Sequence, residues 1–184
     1  MDTRHLLTVL HGWGFGAVFL VGFPLALVAL GGTTATTESE PNTREQFLLS
    51  RGLWLLVVVG WVTVLLGAYL IYPWYRARPP AGLTDLTLYP RSLLLSAPST
   101  AWLHDFGMEW KEHVSWLAPM ILTMVAYVYG RYGAGLAQHR GLRRSFMTFA
   151  IISFAAAGVS GLFGKLLNGY APVTSVHQAE NGDM

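Results

Sequence analysis

The chain has no cysteine among its 184 residues. That excludes disulfides, c-type haem attachment, iron–sulfur clusters and thiolate metal sites built from this chain alone. Charge is scarce as well. Asp, Glu, Lys and Arg make up 12% of the residues, against the ~25% usual in a soluble domain. The formal net charge is only +2, so the chain lacks the basic footprint of a nucleic-acid partner. No internal repeat is visible, and the length suits one domain. What the chain has in excess is apolar sequence: 53% of residues are hydrophobic and mean hydropathy is +0.42.

That apolar sequence is gathered into stretches without Asp, Glu, Lys or Arg, each near the about 20 residues that cross a bilayer. They run over 6–31, 52–75, 114–130 and 145–164. The third is expected to begin near 110 and the fourth to reach 166. Lipid offers backbone groups no partners, so each span is expected to be an α-helix. The expected fold is an all-α, integral membrane, up-down four-helix bundle. Trp54, Tyr72, Trp74, Tyr75 and Trp110 stand at span ends, where an aromatic belt belongs. The first span holds 26 uncharged residues, too many for the apolar core of a signal peptide, and is expected to be retained.

Four spans put both termini on one side, here side A, together with a surface segment over 76–109. Side B carries the loops 32–51 and 131–144. Lys and Arg number six on each side, so their total does not set the orientation. The densest run, Arg131, Arg140, Arg143 and Arg144, lies on side B. The expected setting is therefore a bacterial inner membrane, with side B cytoplasmic and the termini non-cytoplasmic. The 76–109 segment contains Leu93, Leu94, Leu95, Trp102 and Leu103. It is expected to lie over side A as a lid, with a helix starting near Ser99 or Thr100 as N-cap.

Two histidines carry the candidate chemistry. His11 lies inside the first span, and an ionisable residue at membrane depth is a functional hypothesis by default. Gly12, Gly14 and Gly16 follow it and leave room for a flat ring or a neighbouring helix. His113 lies at the side A end of the third span. Both spans run from A to B, and the first and third helices of a bundle are diagonal partners. Two imidazoles at matching height would suit the axial positions of one haem b. No histidine occurs in the second or fourth span, so a second such haem lacks ligands. Helical spacing puts Trp116, Leu117, Met120 and Met124 on the His113 face. Arg76 and Arg78 stand on side A, where propionates would point. Glu109, His104 and Asp105 are candidates to orient an imidazole or to take protons from a quinol. Glycines 158, 161 and 164 form a small-residue stripe suited to helix packing.

These four spans, with two histidines at one end, resemble the four-helix b-type cytochrome subunits that anchor or wire membrane redox complexes. The resemblance implies an electron-transfer subunit with one bis-His haem b near the face that holds the termini, and a quinone site beside it. It implies membrane or periplasmic redox subunits as partners, in addition to lipid. Two alternatives stay open: a cofactor-free anchor subunit, and a (bacterio)chlorophyll-binding subunit with one magnesium per histidine. In none of these is the chain a stand-alone enzyme.

Overall fold

The computed structural model describes residues 3–35 and 43–173, all of its regular structure helical. Four helices are long and apolar enough to cross a membrane: α1 (Thr3–Gly32), α2 (Thr43–Tyr75), α4 (Pro98–Tyr132) and α5 (Arg140–Tyr170). A short helix, α3 (Pro90–Leu95), precedes α4. The molecule is an all-α membrane bundle, as its apolar spans require. The charge-free stretches are shorter than the helices that contain them. α2 begins nine residues before Gly52 and α4 twelve before Trp110, because a helix continues through polar interfacial residues once its hydrogen bonds are under way.

Helix order around the bundle is α1–α2–α4–α5, each packed on the next and α5 closing on α1. α1 and α4 are diagonal, as expected. The side B half is the apolar core, built from Phe19, Phe23, Leu30, Leu53, Leu122, Tyr129 and Phe146. Tight approach depends on glycine. A Cβ at Gly60 would lie 2.8 Å from the Phe19 ring, and one at Gly161 would lie 2.9 Å from Leu20. Within the span-four stripe, Gly161 therefore serves helix packing. Ser153, fully buried, donates to the Ala118 carbonyl at 2.7 Å and ties α5 to α4.

The side A end has its own cluster: Tyr75, Leu94, Leu103, Met108, Leu167 and Ala171. The 76–109 segment thus lies packed across the ends of α2 and α5. Its helix starts at Pro98, whose fixed φ suits a first helical position, with Ala97 as N-cap. The Ser99 or Thr100 start is corrected accordingly. Thr100 turns its hydroxyl backwards onto the carbonyls of Leu94 and Ala97 instead of capping N–H groups. In the preceding turn, two hydrogen bonds from Thr87 hold the Asp85 carboxyl below the usual carboxylate range.

Candidate functional site in the side A half of the bundle

Between the two apolar clusters lies a polar layer to which every long helix contributes. Its first member is His11, on a π-helical stretch of α1, Leu10–Gly16. Wide turns of this kind often mark functional positions. The turn is permitted by glycine: a Cβ at Gly16 would lie 2.9 Å from the His11 carbonyl oxygen. His11 turns toward α2, where its Nδ1 lies 2.9 Å from the Thr63 carbonyl. A carbonyl only accepts, so Nδ1 carries the proton. Nε2 of the neutral ring is then left with its lone pair. Gly67 lets the ring in, since a Cβ there would lie 2.8 Å from His11 Cε1. Gly67 opens a second π-helical stretch, Gly67–Ile71.

A further member is Lys111. Its ammonium crosses to α5, where a Cβ at Gly164 would lie 2.9 Å from Nζ. It is close enough to His11 for the two to act on one another electrostatically. Among the described residues, no carboxylate lies within salt-bridge distance of it. The adjacent Trp110 packs beside Phe106 and Phe163, and its indole N–H is buried without a hydrogen-bond partner among the described residues. Two donors at neighbouring positions of α4 therefore meet α5 at neighbouring positions, Phe163 and Gly164. At 1.5 Å per residue, Gly67 and Gly164 lie about 12 and 9 Å from the side A ends of their helices.

A second network sits above this layer. Arg91 Nε donates to His104 Nε2 at 3.3 Å, so the His104 proton resides on Nδ1, which faces the Tyr75 hydroxyl at 2.8 Å. Tyr75 stacks with Tyr72 at 6.2 Å, and Tyr72 faces the Glu112 carboxylate. The network joins the lid to the ends of α2 and α4.

The residues singled out from the sequence are distributed differently from the expectation. His113 points out of the bundle. Its side chain is 72% exposed, its Nδ1 lies 3.0 Å from the Glu109 carbonyl and 3.5 Å from the Glu109 carboxylate. Leu117, Met120 and Met124 share that face and are exposed with it. The helical spacing was sound, but the face is the outer one. His11 and His113 thus come from diagonal helices at one end of the bundle without presenting their rings to a common centre. A haem held between these two side chains does not fit this arrangement. A Cβ at Gly14 would meet, among the described residues, only Leu10 of its own helix. Asp105 is exposed, and His104 serves the lid. Arg76 and Arg78 line a surface cavity with Arg91. No group of three or more His, Asp or Glu side chains able to hold a metal occurs among the described residues.

Thr63, Gly67, Lys111 and Gly164 were not anticipated as partners of His11. The signal for Lys111 was present: it stands two residues before His113, about 200° around a helix of 3.6 residues per turn. An outward His113 therefore requires an inward Lys111. Comparison with protein-family models, with curated proteins and with solved structures finds no match to this chain. Fold and site together define a helical membrane bundle with a lysine and a histidine in its interior.

Proposed function

We propose that the protein is a membrane-embedded subunit of a larger electron-transfer assembly. Its own contribution is a protonatable site for a quinone-class head group, formed by His11 and Lys111. The observation that carries this reading is the Lys111 ammonium, inside the bundle and without a carboxylate partner among the described residues. Such a cation in a span marks a functional site by default. An ammonium donates to a carbonyl oxygen, and the Nε2 lone pair of His11 accepts from a hydroxyl. The pair thus recognises both the oxidised and the reduced head group. Trp110 offers a further buried donor, and an unpaired donor at such a site costs about 1–3 kcal/mol. The outward face of His113, Leu117, Met120 and Met124 supports a partner subunit that covers it.

The test is the quinone content of the purified assembly, measured by solvent extraction and mass spectrometry. Wild type should retain about one quinone per bundle. Lys111→Leu and His11→Leu should each lower that about tenfold. Gly67→Ala should act like His11→Leu, because the new methyl takes the place of the ring. Equal quinone content in all four proteins would overturn the reading.

We place side B in the cytoplasm of a bacterial inner membrane, on the arginine run of the 131–144 loop. The absence of native cysteine makes the test direct. A single cysteine at Ala77, an exposed position on side A, should react with an impermeant maleimide in spheroplasts. Labelling only after lysis would reverse the orientation.

A further inference from the structure

At the side A end of α2 the chain leaves the bundle through Arg76, Ala77, Arg78 and Pro79. These residues form a cavity with Arg91, Ser92 and Leu95 of the lid. Its volume is about 420 Å³. At roughly 30 Å³ per water, that is room for a phosphate and its ester substituent. Three guanidinium-bearing residues line it, and among the described residues no carboxylate does. Arginine presents planar, paired donors that match phosphate oxygens.

Two of the three arginines are held in place. Arg91 is fixed by its Nε bond to His104, which is itself held by the buried Tyr75. Arg76 stacks over the Tyr72 ring at 5.3 Å. Arg76 directly follows Tyr75, in the aromatic run Tyr72, Trp74 and Tyr75 that marks headgroup level. Leu95, 43% exposed, adds an apolar wall to the cavity. A cationic pocket with one apolar wall at this height suits a ligand that is phosphate at one end and hydrocarbon at the other.

We propose that the Arg76–Arg78–Arg91 cavity binds a phosphate group, and that this group is the headgroup of an anionic phospholipid. The site is separate from the His11–Lys111 layer. It is tied to the bundle by the Arg91–His104–Tyr75 contacts and by the stack of Arg76 on Tyr72, which gives it a second role of holding the lid down.

The test is native mass spectrometry of the purified protein with phosphatidylglycerol or phosphatidylcholine of the same acyl chains. Wild type should retain phosphatidylglycerol about tenfold more strongly. The double variant Arg76→Gln/Arg78→Gln should lose that preference, while Arg76→Lys/Arg78→Lys should keep part of it. Both arginines are exposed, so neither variant disturbs the core. Arg44→Gln/Arg51→Gln, on side B, should leave the preference intact. Millimolar inorganic phosphate should not displace the lipid. Equal retention of the two lipids by wild type would overturn the proposal. So would an undiminished preference in the glutamine variant, or displacement by free phosphate, which would make the ligand a soluble anion.

Discussion

Replacing Phe23 by Ala should lower the unfolding free energy of the bundle by about 2–3 kcal/mol, in sodium dodecyl sulfate titrations from mixed micelles. Phe23 is fully buried, and its ring meets Phe19 at 5.3 Å and Phe154 at 5.7 Å, both edge-on. One side chain thus joins α1 to α5 while bracing its own helix. Truncation of a buried Phe in a water-soluble core costs roughly 3–5 kcal/mol, from lost transfer energy plus a cavity. The transfer part shrinks in a bilayer, where the separated helix still keeps its side chain in hydrocarbon. What remains is dispersion, the two ring contacts and the void. Val21→Ala, at a position 65% exposed two residues earlier, should change stability by less than about 0.5 kcal/mol. Equal effects at the two positions would mean that lipid tails fill the Phe23 void and that α1 is not locked to α5 by packing.

Span number, helical state and the diagonal placement of α1 and α4 were all legible in the sequence. Each follows from a constraint that acts on every span: no water, no unpaired backbone, and successive crossings that must alternate in direction. The inward face of each helix was not legible. In water, an apolar stripe points to the core. In a bilayer the outer face is apolar too, so Met120 and Met124 read the same whether they meet a cofactor or lipid. The His113 face was therefore assigned inward on periodicity that carries no sign. The sign lay in the polar residues. Along α4 the buried series Ala118, Leu122, Val125 and Tyr129 is the continuation of the Lys111 face, and the exposed series Leu117, Met120 and Met124 that of His113.

The π-helical turns were hidden for a different reason. They depend on where a neighbouring helix presents an acceptor, as Thr63 does to His11, and that is a tertiary fact. The glycine run at 12, 14 and 16 was a visible hint of unusual backbone. Its meaning, a widened turn with the His11 carbonyl against Gly16, required the neighbours to be in place.

Replacing Lys111 by Leu should stabilise the isolated bundle while removing its proposed ligand. The ammonium sits within the bundle with no carboxylate opposite among the described residues, so its desolvation goes uncompensated. The penalty for a lysine at a helix centre in a bilayer is about 2.5–3.5 kcal/mol on insertion scales. Lys111 lies nearer the side A end, which reduces the figure. Leucine keeps the apolar contacts of the stem and removes the charge, so a gain of about 1–2 kcal/mol is expected in the same mixed-micelle titration. The double variant Lys111→Leu/Gly164→Ala should gain somewhat more, because the alanine methyl takes up the space left by the ammonium. Lys165→Leu, at an exposed position one residue along, should stay within about 0.5 kcal/mol of wild type and serves as the control. A residue whose removal makes a protein more stable and less able to bind is one kept for binding. If Lys111→Leu instead destabilises the bundle, the ammonium has an internal partner that holds α4 to its neighbours. Lys111 is then a structural tie, and the site must be sought elsewhere.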